Sequence, residues 1–223
     1  MLGSTFANDH LKLLYNATAI ANVADNAATS PLTNLQVALH ATWPGAAGNQ
    51  TSGEVSYTGY GRVAVARTSG GWSVSGNQVS PVSAVSFGPC TAGSATAYFF
   101  SVGTAASGTG KILDVGVIGG GPKIAVGFTS DTITAPGHGL AVNDPVCFWA
   151  TLGNSLPTGI TEGTVYYVKT APDADNITIS ATQGGTVLDI TASGAGVVQK
   201  LTPISISSGV TPQLTTSTVI TRY

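Results

Sequence analysis

The segment Ser107-Gly108-Thr109-Gly110-Lys111 is the first place where residue types and spacing invite chemistry. A phosphate-binding loop cradles its anion on the backbone amides of a glycine-rich turn, neutralises it with lysine and holds magnesium on the next hydroxyl. Here Ala105 stands where the first glycine belongs and Ile112 follows the lysine, so the segment reads as a turn between strands. A Ser-His-Asp relay would have to draw on His10, His40 or His138. His10 adjoins Asp9 on a helical pattern, where neighbours in sequence point apart, and no Gly-x-Ser-x-Gly elbow accompanies any of the three. His138 stands between two glycines in a turn. Isolated histidines give no metal-ligand spacing, and Asp173 with Asp175 would form at most a weak calcium loop. Glu54, Glu162 and the aspartates could pair for glycan cleavage, although exposed polar turns are the simpler reading. Trp43, Tyr57, Tyr60 and Trp72 could stack on sugar faces, but aromatics in strands more often fill cores or subunit contacts. No catalytic residue, cofactor or metal site is expected.

That scarcity follows from composition. Only 8% of the 223 residues are charged while 43% are hydrophobic, against about 25% charged in an average soluble domain. The chain is too apolar for a disordered segment. Its net charge of −2 leaves no basic stripe for nucleic acid. Its apolar runs fall short of the roughly 20 residues that span a bilayer, and its first residues do not form a signal peptide. A soluble protein made in the cytoplasm, touching neither nucleic acid nor membrane, is expected. Cys90 and Cys147 match no zinc or redox motif and read as partly buried free thiols rather than an interdomain disulfide.

The elements that must position these residues are mostly strands. Phe6, His10, Leu13, Leu14, Ala17, Ile20 and Ala21 recur at three- and four-residue steps, predicting one helix at about residues 6–19, with Ser4 or Thr5 as cap and Asp9 in its first turn. A polar hinge follows at 21–30. Leu35, Val37 and Leu39 then alternate with Asn34, Gln36 and Ala38 in the pattern of a half-buried strand. Short β-prone segments at 62–67, 71–74, 84–87, 95–102 and 111–118 suggest an antiparallel β-sandwich or barrel. Gly119-Gly120-Gly121-Pro122 is the strongest punctuation in the chain. Beyond it, strands at 132–134, 145–151, 165–170, 176–180, 187–190 and 197–201 make a small all-β unit. The expected organisation is therefore a helix and sandwich core at 1–122, an inserted β domain at 123–200 and closing strands of the core at 201–223.

Residues 5–16 (TFANDHLKLLYN), 35–40 (LQVALH), 57–65 (YTGYGRVAV), 71–77 (GWSVSGN), 101–113 and 208–212 (SGVTP) together resemble a family of small tailed-bacteriophage structural proteins commonly labelled tail fibre proteins. The insert is similar, at 128–140, 142–148, 164–168 and 177–180, to a β module that recurs in phage virion proteins. Neither resemblance implies a catalytic role.

The resemblance implies a non-enzymatic virion structural protein. The leading expectation is a capsid decoration protein on the head surface. Its partners would be the major capsid protein and copies of itself, with a trimer suggested by capsid geometry. The alternative is a tail fibre, tail-tip or baseplate component binding a host-surface glycan or receptor, although no heptads or short repeats predict a fibrous shaft. Phe6, His10, Leu14, Trp43, Tyr57, Tyr60 and Trp72 are the candidate subunit contacts.

Overall fold

A computed structural model describes residues 4–19, 32–45, 47–121 and 123–221, with side chains from residue 8 onward. The expected hinge at 21–30 lies outside the described residues, as do the side chain of Phe6 and those of Ile20 and Ala21. Two compact units emerge: Met1–Ile118 with Ile204–Tyr223, and Gly119–Pro203.

The first unit opens with helix α1, Ser4–Asn16, three residues earlier at its C-terminus than the periodicity predicts. Asp9 therefore lies past the first turn, which carries no acid. Ala17 turns left-handed, at φ 54°, and ends the helix there. The last turn has no basic residue of its own. Arg67, 53 positions on from Leu14, supplies one by donating to the Leu13 and Leu14 carbonyls. Leu11 and Tyr15, four apart, are fully buried.

The strands of the same unit are β1 (Asn34–His40), β2 (Val63–Ala66), β3 (Trp72–Ser75), β4 (Gln78–Pro81), β5 (Val85–Ser86), β6 (Ala95–Ala97), β7 (Phe99–Gly103) and β8 (Ile112–Val117). A four-stranded antiparallel sheet runs β2-β1-β7-β8. The register places Val37 opposite Val102 and Leu39 opposite Phe100, so the predicted alternation puts Leu35, Val37 and Leu39 against the apolar core. Residues 37–40 are nevertheless all buried, because β1 is an interior strand with both faces covered. His40, opposite Phe99, and Ala38, opposite Ser101, occupy the reverse face.

In the second unit, β9 (Lys123–Thr129), β10 (Thr132–Thr134), β11 (Pro145–Ala150), β12 (Tyr166–Thr170), β13 (Asn176–Ser180) and β14 (Gly194–Lys200) close into a barrel in the order β10-β13-β12-β11-β14-β9. In β9, Val126 and Phe128 are buried while Ala125, Gly127 and Thr129 are exposed. The inward residues, with Ile133, Phe148, Ile177 and Ile179, form this unit's own core. Residues 187–190, predicted as a strand, are irregular. Leu188 N–H donates to the Ile179 carbonyl at 2.8 Å, but the Ile190 amide goes to the Asp131 carboxylate, so no ladder develops. The short strands β15 (Ile204–Ile206), β16 (Gln213–Leu214) and β17 (Ile220–Thr221) return to the first unit, pairing with β6, β5 and β4. The protein is mainly β with one N-terminal helix and several antiparallel sheets, one of them the small closed barrel. Among the described residues no helix is long and apolar enough to cross a membrane.

Candidate functional site

A dense polar constellation ties β1 of the four-stranded sheet to the connection after β7. The Glu54 carboxylate is gripped by Arg62, whose Nε and Nη2 donate to its two oxygens at 2.7 and 2.8 Å. The Arg62 side chain is only 3% exposed. Its remaining donors reach the Ala105 and Gly108 carbonyls at 2.9 and 2.8 Å. Tyr60 donates its hydroxyl to Glu54 at 2.9 Å and accepts from the Leu39 amide at 3.1 Å. Burial and the adjoining carboxylate push the Tyr60 hydroxyl's pKa up, so it stays protonated. Beside this group, fully buried Gln50 donates to the Gln36 carbonyl and accepts from the Ala105 amide, at 3.1 and 3.0 Å. Its backbone amide donates to the Gly110 carbonyl at 2.9 Å.

This arrangement accounts for the glycine-rich segment. Residues 104–111 connect β7 to β8 and are held from beneath by Arg62 and Gln50. The amides of Thr104, Ala105, Gly110 and Lys111 all donate to groups within the protein. Carbonyls, not amides, face the nearest cation, the inverse of an anion cradle. The glycines have a packing reason: a Cβ on Gly110 would lie 2.1 Å from Gln50 Oε1, and one on Gly103 would lie 2.3 Å from Gln50 Cδ.

His40 completes the layer. Its Nδ1 lies 2.9 Å from the Ser52 carbonyl and its Nε2 2.8 Å from Ser101 Oγ. The carbonyl can only accept, so Nδ1 carries the proton and Ser101 donates to Nε2. Burial pulls the His40 pKa below its ordinary value, favouring the neutral ring.

The other sequence candidates are also used as ties. His138 is 7% exposed. Its Nδ1 accepts from the Leu140 amide at 2.8 Å, which leaves Nε2–H to donate to the Asp173 carbonyl at 3.1 Å. The Asp173 carboxylate accepts from the Asn176 side chain and from the Asp175 and Asn176 amides, and these bonds hold its pKa below the usual range. Asp175 accepts from the Gly137 amide at 3.0 Å. These carboxylates bind turns, and no metal-holding cluster occurs among the described residues. Glu162 accepts from the Ala150 amide at 3.2 Å, within the barrel unit. Both cysteines are free and fully buried. Burial pushes the Cys147 thiol up to about 12.

Of the seven candidate contacts, Trp72 is 2% exposed and packs edge-on to Tyr15, with ring centres 4.8 Å apart. Tyr57 is buried and donates to the Gly88 carbonyl at 2.8 Å. Trp43 is half-buried against Phe99, Tyr60 belongs to the Glu54 cluster, and Leu14 packs on the core. His10 is half-buried on α1. An apolar cavity of about 10 Å³ lined by Val37, Trp72, Phe100, Val102 and Leu214 is no larger than a water. Sequence reasoning missed Glu54, Arg62 and Gln50 as a unit. The available signal was that two of the chain's rare charges stand eight residues apart amid aromatic and glycine residues.

Polar groups spent on fastening loops across antiparallel sheets define a structural β scaffold. The chain belongs to the family described as podophage GP4 fiber I protein gp80, whose model matches residues 13–136. It is a non-catalytic bacteriophage virion structural protein, in keeping with the resemblance carried by residues 35–40 and 57–65. The match runs past the Gly-Gly-Gly-Pro segment and through β10. Neither a curated protein nor a solved structure matches the chain.

Proposed function

We propose that the protein is a tail-fibre component that meets the host surface. The observation that carries this reading is the family's description as a fibre protein, over a match that spans the last turn of α1, the four-stranded sheet and the start of the barrel. The family description favours the tail over the head. On this reading the partners are further copies of the chain and a receptor or glycan on the host, and the low charge suits an exterior that makes contact through hydroxyl, amide and apolar groups.

Gold-antibody labelling of intact virions tests the location. Labelling confined to the tail is expected. Dense labelling over the head, with a copy number close to that of the major capsid protein, would refute the fibre reading and restore capsid decoration.

A further inference from the structure

His138 sits in a clasp that only one protonation state of its ring can close. Strand directions place the connections 135–144 and 171–175 together at one end of the barrel. They are stitched backbone to backbone, Ala135 N–H donating to the Asp175 carbonyl at 2.6 Å and His138 N–H to the Ala174 carbonyl at 3.1 Å. The Gly137 amide adds a bond to the Asp175 carboxylate at 3.0 Å. Gly137 and Gly139, at φ 65° and 58°, curl the chain around His138 and bring its ring back onto the amide two residues further on. That amide belongs to Leu140 and lies 2.8 Å from Nδ1, while Nε2 lies 3.1 Å from the Asp173 carbonyl.

Neither partner can change its role. A backbone amide only donates and a carbonyl only accepts, so the clasp needs a bare Nδ1 and a protonated Nε2. A second proton would set two N–H groups against each other across 2.8 Å. His40 differs, because its Nε2 faces the Ser101 hydroxyl, which can turn to accept, and its second proton would cost no hydrogen bond. The His138 residue is 7% exposed, which leaves the Leu140 amide little water to turn to once the ring lets go.

What the clasp holds in place is Leu140. Its side chain, also 7% exposed, belongs to the barrel core. Two residues on, Val142 is 54% exposed. The charges around the ring favour its imidazolium form. Asp173 and Asp175 stand on the facing connection, and the Asp173 carboxylate is close enough to feel the charge of the ring. On the ring's own connection, Asp144 is neutralised by Lys200 at 2.6 Å. Acid therefore adds a proton that the carboxylates attract and the Leu140 amide repels. We propose that protonation of His138 opens this clasp and releases Leu140 from the barrel core, a pH-sensitive latch that bares an apolar loop carrying Leu140 and Val142. The latch does not depend on the host-surface reading above.

The test is a titration of the isotope-labelled full chain from about pH 8 to about pH 5, the range in which histidine changes charge. It is followed by imidazole nitrogen shifts and by amide hydrogen exchange corrected for the intrinsic effect of pH. At the alkaline end His138 should show a bare Nδ1 and a protonated Nε2. As the ring titrates, protection of the Leu140 amide should fall about tenfold with the same midpoint, as expected for one lost hydrogen bond to a buried group. The Val198 amide, in a strand paired on both sides, should keep its protection. His138→Asn offers Oδ1 as an acceptor in place of Nδ1 and has no ring to titrate, so it should hold Leu140 protected throughout. A Leu140 amide that stays protected while His138 titrates would overturn the latch. So would a ring that stays neutral down to about pH 5, a loss shared equally by Val198, which marks general unfolding, or an equal loss in His138→Asn. The wild-type titration decides the question by itself if the variant does not fold.

Discussion

Removing the Arg62 guanidinium should destabilise the first unit more than any other surface-proximal change. Arg62 makes four hydrogen bonds of 2.7–2.9 Å, two to Glu54 and one each to Ala105 and Gly108. The two side chains are 3% and 15% exposed. Arg62→Ala leaves a carboxylate with only the Tyr60 hydroxyl and strips two carbonyls of their donor. Breaking a buried pair from one side costs about 3–5 kcal/mol, and water reaching Glu54 sets the lower end, about 3 kcal/mol. For a chain of this size that is a fall of roughly 6–12 °C in the unit's transition. Urea unfolding in a Trp149→Phe background, so that Trp43 and Trp72 give the signal, measures the loss. Removing both charges, as Glu54→Gln with Arg62→Met, should recover part of it, since no unpaired charge then remains. A midpoint for Arg62→Ala within about 0.5 kcal/mol of wild type would refute the assignment of this cluster as the fastening of the 104–111 loop.

Two further outcomes follow from the same layer. His40 has its folded pKa depressed below 6.5, so the unfolded chain binds the extra proton first. Stability from this group is complete above 6.5 and declines as pH falls towards the folded value, by up to about 1.4 kcal/mol per pH unit. His40→Gln should flatten that part of the stability profile between pH 6.5 and 5 in urea titrations, and an unchanged slope would contradict the buried neutral ring. Gly110→Ala would set a methyl 2.1 Å from Gln50 Oε1 and 2.7 Å from Ala105 Cβ. Overpacking of this kind costs about 1–3 kcal/mol, read as a lower urea midpoint.

Local pattern made some elements legible and tertiary context hid others. β10 and β13 lie exactly where the sequence places strands, because alternating Ile and Thr or Asn are bounded by Pro-Gly and Pro-Asp turns. β4 carries serine and proline and shows no clear apolar alternation, so it escaped, whereas β9 alternates Ile124, Val126 and Phe128 with small or polar residues and was hidden only by the glycine run just before it. Helix α1 was visible, but its end is set by left-handed Ala17 and by Arg67 arriving from far along the chain. Barrel closure depends on the pairing of β14 with β9, whose registered residues are more than sixty positions apart. The fastening cluster was equally hidden, since His40 meets Ser101 and Gln50 meets Ala105 across comparable gaps.

Those long-range ties explain how a chain with so few charges uses them. Of its eight basic residues, Arg62 is buried against Glu54 and Arg67 caps the helix, while Lys169 reaches the Gly184 carbonyl and Lys200 pairs with Asp144 at 2.6 Å. Asp131, Glu162, Asp173 and Asp175 accept from backbone amides. The ionic groups thus hold irregular connections where sheet hydrogen bonds run out, and with only 8% of residues charged the exterior carries little charge. A neutral exterior gives little long-range steering. Under the proposed host-surface role, contact then comes from shape and from hydroxyl, amide and apolar groups rather than from patches of charge.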